Sequence, residues 1–189
     1  MKGDERIFSM VYDRFYKALY NYGCKYTRNT ELIEDAIQDL FVRFWKSRAR
    51  LNEPPSLKNY LFKAFRNHMI DRLKVAGRYV LDDLGGQYAF ELVPSVEDDR
   101  VAMEKSAITK QKLSAAMVRL TDRQREAIFL RFYEEFSYLE IAEMMGITVK
   151  ATYKLMARSI DVVREGLDGD NVMVLLLLFK RALSSHKKS

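Results

Sequence analysis

Apolar residues recur at steps of three and four along most of this chain, the spacing that gives an α-helix one buried stripe. Phe8, Val11, Tyr12, Phe15, Leu19 and Tyr22 form the first stripe. A second helix is expected to start at Asn29 or Thr30, whose short polar side chains can accept a hydrogen bond from the first turn. Glu31 and Glu34 lie near its positive end, and Ile33, Ala36, Ile37, Leu40, Phe41 and Phe44 are its stripe. Arg48 to Ser56 reads as a loop, because Pro54-Pro55 cannot continue a helix and biases Glu53 to extended backbone. A third helix from about Leu57 to Lys74 would bury Leu57, Leu61, Ala64, Phe65, Met69 and Leu73. Three helices with matching stripes predict a small bundle over residues 5–76.

The periodicity fails over residues 77–100, where Gly85-Gly86 and Pro94 interrupt it. Asp82 to Asp99 carries Asp82, Asp83, Glu91, Glu97, Asp98 and Asp99 without one Lys or Arg. This reads as an acidic linker between two domains, although a solvated loop with no role fits the same composition. Helical spacing returns over 101–167. Thr121-Asp-Arg-Gln124 and Ser137-Tyr-Leu-Glu140 both fit the capping box, in which a hydroxyl and a Glu or Gln satisfy each other's free backbone N–H groups. The helix after Thr121 should bury Ile128, Phe129, Phe132 and Phe136. A short helix follows with Tyr138, Ile141, Ala142 and Met145 as its stripe and Gly146 as its stop. Thr148 then caps a longer helix with Thr152, Met156, Ser159, Ile160 and Val163 inside. The expected fold class is all-α: two small helical domains joined by an acidic linker, with an apolar and basic tail over 168–189.

Composition narrows the function. With 48% hydrophobic and 31% charged residues among 189, the chain suits a soluble folded protein, and only eight Gly and three Pro favour long helices over a turn-rich β fold. A net charge of +6 leans mildly toward a polyanionic partner. The single cysteine, Cys24, excludes an internal disulfide and reads as a small buried hydrophobe. His68 and His186 have no zinc-ligand spacing, no Gly-rich phosphate loop is present, and no Ser–His or Cys–His pairing stands in a recognisable context. A non-enzyme without metal or cofactor is expected. No signal-peptide core follows Met1, and the longest apolar run, Val172 to Phe179, is well short of the ~20 residues of a membrane span. A cytoplasmic protein, not an integral membrane protein, is therefore the expectation.

Three constellations carry chemistry. Ser137 to Arg164 has the form of a helix-turn-helix, with Ala142 small enough for close crossing and Gly146-Ile147-Thr148 as the turn. Lys150, Ala151, Tyr153, Lys154 and Arg158 would lie on the outer face of its second helix, the polar ones reaching phosphates or guanine. A plain helical hairpin has the same stripe, and Ala151 and Ala157 leave little side chain for base reading. The second constellation is the stretch Arg43 to Arg78, which holds ten Lys and Arg against Glu53 and Asp71. Asn59, Lys63, Arg66 and Lys74 fall close to one face there, with Trp45, Tyr60 and Phe62 interspersed. Basic and aromatic groups together can grip and stack single-stranded bases, although a solvated face over core aromatics looks alike in sequence. The third is the edge of the second helix, Glu34, Asp35, Gln38 and Asp39 beside Val42 and Trp45, which suits a protein partner better than DNA.

Asp35-Ala-Ile-Gln-Asp-Leu-Phe-Val-Arg-Phe-Trp45 and Leu57-Lys-Asn-Tyr-Leu-Phe-Lys-Ala-Phe-Arg-Asn-His-Met-Ile-Asp-Arg-Leu-Lys74 resemble domain 2 of the extracytoplasmic-function (group IV) sigma factors of the sigma-70 family. Leu120 to Tyr133 with the helix-turn-helix resembles their domain 4. The resemblance covers roughly residues 5 to 167 and implies a factor that binds core RNA polymerase, recognises promoter DNA and helps open it. It implies that Asp35, Gln38, Asp39 and Val42 contact the clamp coiled coil of polymerase. The Arg48–Ser56 loop, with Arg48, Arg50 and Asn52, would capture a flipped base of the -10 element, while Asn59, Lys63, Arg66 and Arg72 hold the non-template strand. The linker would thread toward the RNA exit path. Thr148, Lys150, Ala151, Tyr153, Lys154 and Arg158 would face the -35 element, with domain 4 on the polymerase flap. An anti-sigma or recruiting protein is a further expected partner, through either domain or the tail. The tail, Asn171-Val-Met-Val-Leu-Leu-Leu-Leu-Phe-Lys-Arg-Ala-Leu, is apolar all round at its start and so is expected to dock on such a partner or on domain 4 itself. Two competing readings are a helix-turn-helix regulator acting without core polymerase and a non-DNA module whose basic face lies on a membrane or RNA.

Overall fold

A computed structural model of the chain describes residues 2–47, 56–77, 79–80, 87–92 and 113–166. The chain divides into two compact units, Met1–Phe90 and Glu91–Ser189. In the first, α1 (Lys2–Gly23), α2 (Thr30–Ser47) and α3 (Leu57–Val75) pack against one another. A short antiparallel ladder follows, β1 (Tyr79–Val80) with β2 (Gln87–Tyr88). In the second, helical residues 113–118 (α4) precede α5 (Asp122–Ile128), a π-helical turn (Phe129–Tyr133), α6 (Tyr138–Met145) and α7 (Val149–Glu165).

Most positions of the expected stripes form the core, while Phe8, Val11, Tyr12, Phe44, Leu57 and Ala64 are half-buried. Phe15, Leu19 and Tyr22 of α1 and Ile33, Ala36, Ile37, Leu40 and Phe41 of α2 are buried, as are Leu61, Phe65, Met69 and Leu73 of α3. Asn29 caps α2, its Oδ1 accepting from the Leu32 N–H at 3.1 Å, and Ser56 caps α3 by accepting from Asn59 N–H at 3.2 Å. Gly23 lets the end of α1 come close to α2: a Cβ there would lie 2.6 Å from Ile33 Cγ2.

Cys24, expected to be buried, is exposed just after α1, and two larger features also differ from the sequence reading. Part of the expected linker belongs to the first unit, because Tyr88 and Phe90 are buried and their rings meet Tyr26 at 5.5 and 5.0 Å. Phe90 also meets Tyr22 edge-on at 6.1 Å. The alternation Tyr88-Ala-Phe90 puts two rings on one side of an extended chain, and burying them outweighs the acidic character of their surroundings. The second is the helix expected to run through Phe132. It changes to π geometry at Phe129, where Phe129 and Tyr133 stack at 4.7 Å, and Glu135 then turns back with φ 62°. Phe132 stays half-buried there, while Phe129 and Phe136 fill the core. The remaining linker positions 81–86 and 93–100, and the tail 168–189, lie outside the described residues.

Candidate nucleic-acid interface

The second unit is built from helix ends. Thr121 and Ser137 each form a complete capping box, with Gln124 and Glu140 answering the cap N–H at 2.9 and 2.8 Å. These reciprocal bonds satisfy donors a helix start otherwise leaves open, so α5 and α6 begin at fixed residues. Gly146 ends α6 with φ 65° and ψ 36°, the left-handed geometry glycine adopts without Cβ strain. Ile147 N–H returns to the Ala142 carbonyl at 3.0 Å, and Thr148 Oγ1 accepts from Ala151 N–H at 3.1 Å to start α7. Thr152, Met156, Ser159 and Val163 face inward, whereas Ile160 is only half-buried.

This turn leaves Thr148, Lys150, Lys154 and Arg158 exposed, whereas Ala151, expected on the outer face, is half-buried. Tyr153 is 55% exposed and its ring packs edge-on against Tyr138 at 4.4 Å, tying the two helices of the motif together. Arg131 lies over the other partner, 5.1 Å from the Tyr138 ring.

In the first unit the expected DNA-facing set divides. Lys63 is exposed and Asn59 half-buried, but Arg66 is 9% exposed and donates to the Tyr88 hydroxyl at 3.1 Å. Its guanidinium lies 5.7 Å from the Tyr88 ring centroid, so this cation fastens β2 to α3. Phe62, expected among the base-stacking aromatics, is fully buried and stacks on Tyr22 at 5.5 Å. Trp45 packs edge-on against Phe8 at 5.0 Å, joining α2 to α1. Tyr60 remains half-buried beside Phe44. The two corrections have different partners: Phe62 is held by Tyr22 of α1, and Arg66, one turn on, by Tyr88 of the 87–90 segment. Arg48, Arg50 and Asn52 lie outside the described residues.

Asp35, Gln38 and Asp39 are exposed along α2, and Val42, one turn on, is 49% exposed. Arg72 of α3 reaches across to this edge, with Nη2 at 2.7 Å from Asp39 Oδ2 and Nη1 at 3.9 Å from Asp35 Oδ2. The pair stands at an open cleft of about 470 Å³ that Leu32, Arg43, His68, Asp71, Val75 and Ala76 also line. Burial pulls the His68 imidazole below its ordinary pKa, with Arg43 adding to the effect and Asp39 opposing it. Sequence reading gave Arg43 and His68 no role here. The i, i+4 series Asp35, Asp39, Arg43 on α2 was the available signal for Arg43, since such residues share a face.

Residues 11–79 match sigma-70 region 2 and residues 110–160 match sigma-70 region 4. The two regions occur in that order, one in each unit, and the chain belongs to the sigma-70 family of transcription initiation factors. Within that family it is of the extracytoplasmic-function type. It is 25% identical over 175 residues to the ECF RNA polymerase sigma factor SigW of Bacillus subtilis (strain 168), an alignment covering 88% of this chain and 91% of that protein. To SigX of the same strain it is 25% identical over 185 residues, covering 89% and 91%. The fold is similar to sigma factor RpoE, solved in complex with the anti-sigma factor NepR from Bartonella quintana. There the TM-score is 0.61 at 20% identity, over 87% of this chain and 99% of that one.

Proposed function

We propose that this chain is an alternative sigma factor of the cytoplasm: it binds core RNA polymerase, recognises promoter DNA and helps open it. The observation that carries the reading is the presence of both regions in one chain, each on its own helical unit and in family order. A regulator acting without polymerase would leave the region 2 match without a role. No covalent step is required. Binding energy offsets the unpairing and unstacking of a few bases, roughly a few kcal/mol for each base turned out of the stack.

In this reading the exposed edge Asp35, Gln38, Asp39 and Val42 meets polymerase, on the clamp coiled coil by analogy with the family. Its support is an acidic, solvent-facing row beside one apolar residue on a rigid helix. The -10 strand is held by Lys63 and Asn59, with Arg66 left to its buried place at Tyr88 and Arg72 turned to the α2 edge. Lys150, Lys154 and Arg158 take phosphates or base edges at the -35 element from the outer face of α7. Ala151 at the half-buried position offers only an apolar contact, such as a thymine methyl. An anti-sigma protein is the further partner this reading expects.

Co-purification with core RNA polymerase tests the interface. The wild-type chain is expected to be retained, and Gln38→Ala with Asp39→Arg to be retained less at unchanged helix content. Equal retention of both contradicts the α2 assignment, and no retention of the wild type contradicts the function.

A further inference from the structure

Tyr153 stands among the cations of the proposed DNA face, yet its ring is engaged within the protein. Lys150, Lys154 and Arg158 follow one another at steps of four on α7 and are exposed, whereas the Tyr153 ring meets Tyr138 edge-on at 4.4 Å. Arg131 backs Tyr138 in turn. Its guanidinium lies 5.1 Å from the Tyr138 ring centroid, and its Nη1 donates to the Phe136 carbonyl at 3.0 Å. Side chains from the π turn, α6 and α7 thus form one stack. Tyr138 is the first residue of α6 and Gly146 follows its last, so the stack and the turn are separated by about 12 Å at ~1.5 Å per residue. The turn joins α6 to α7 once, and the stack joins them again at the far end of α6. The buried stripe ahead of Val163 is Thr152, Met156 and Ser159, small or adaptable side chains that seat α7 without closely fixing its angle.

We propose that Tyr153 is a positioning residue of promoter recognition: its ring on Tyr138 holds α7 at the angle that brings Lys150, Lys154 and Arg158 to DNA together. The proposal rests on the sigma-factor reading of the second unit. Cations on a helix already set at the right angle meet their phosphates without further ordering. A helix free to tilt has to be ordered on binding, and affinity falls by that cost. One edge-on aromatic pair limits the effect to about two- to tenfold in affinity. The hydroxyl of Tyr153 has no part in it.

A double-mutant cycle with a conservative control separates positioning from direct DNA contact. Wild type, Tyr153→Phe, Tyr153→Ala, Tyr138→Ala and the double alanine variant are each assembled with core polymerase. Each is titrated with a fluorescein-labelled promoter fragment on which the wild type starts transcription. Thermal unfolding of each chain fixes a temperature at which all are folded, where a merely structural role leaves promoter affinity unchanged. Tyr153→Phe should bind as the wild type does, and each single alanine variant should bind about two- to tenfold more weakly. The double variant should be no weaker than the weaker single one, because either change breaks the same contact. Losses that multiply in the double variant mean separate DNA contacts, and overturn the proposal. So does a loss in Tyr153→Phe as large as in Tyr153→Ala, or no loss in either single alanine variant. Should an alanine variant not fold, the Tyr153→Phe arm still decides whether the hydroxyl touches DNA. Failure of the wild type to direct transcription removes the sigma-factor reading and this proposal together, whereas the other outcomes leave that reading standing.

Discussion

The two helical units solve the same problem of placing charged side chains in opposite ways. In the second, short-range devices at helix ends set the outer face: the capping boxes at Thr121 and Ser137, the left-handed Gly146 and the Thr148 cap. Each acts within four residues of chain. In the first, contacts across 22 and 33 residues decide which cations are exposed, Arg66 with Tyr88 and Arg72 with Asp39. A face set by local bonds keeps its residues where the periodicity puts them. One set by distant partners can turn a basic residue into a structural one.

The largest expected effect separates core from interface in the first unit. Phe62→Ala should destabilise that unit by about 3–5 kcal/mol in urea unfolding, because it removes a fully buried ring stacked on Tyr22. A variant with unchanged stability that loses only single-strand binding would return Phe62 to the DNA face. Tyr88→Phe removes the hydroxyl that accepts from buried Arg66, and should cost about 1.5–3 kcal/mol in the same measurement. No change would show that the 87–90 segment is held by its rings alone.

In the second unit the effects should be smaller and local. Gly146→Ala introduces a Cβ at φ 65° with no atom within 4 Å to clash, so its cost of about 1–2 kcal/mol comes from backbone strain. Gly146→Asn should lose less, since asparagine tolerates that region, and thermal unfolding ranks the two. Equal stability of all three would mean that the turn does not set the position of α7. The smallest effect concerns pH. The folded-state pKa of His68 is depressed by burial, so the unfolded chain binds the proton more readily. Stability is therefore fully present above the ordinary value of 6.5 and is lost as pH falls through the folded-state value. His68→Gln should flatten this part of the stability profile, and an unaltered slope would place the titration elsewhere.

The same contrast explains what could be read from sequence. The helix stripes, the Asn29 or Thr30 start of α2, both capping boxes and the helix-turn-helix all follow from residue types within one or two turns. The roles of Arg66 and Phe62 did not, because their partners Tyr88 and Tyr22 lie far along the chain and no helical period announces them. Tyr88-Ala-Phe90 carried the needed signal, two aromatics at strand spacing, but six carboxylates between Asp82 and Asp99 made that stretch look solvated. The Phe129 π turn had no sequence mark. Asp35, Asp39 and Arg72 were each named, but their meeting depends on how α2 crosses α3.

Run-off transcription with purified core RNA polymerase and a library of promoter fragments tests the central claim most directly. Discrete start sites that appear only when the chain is added, and that weaken with Gln38→Ala and Asp39→Arg, are the predicted result. Transcripts that are unchanged by adding the chain, from polymerase active with another initiation factor, would contradict it.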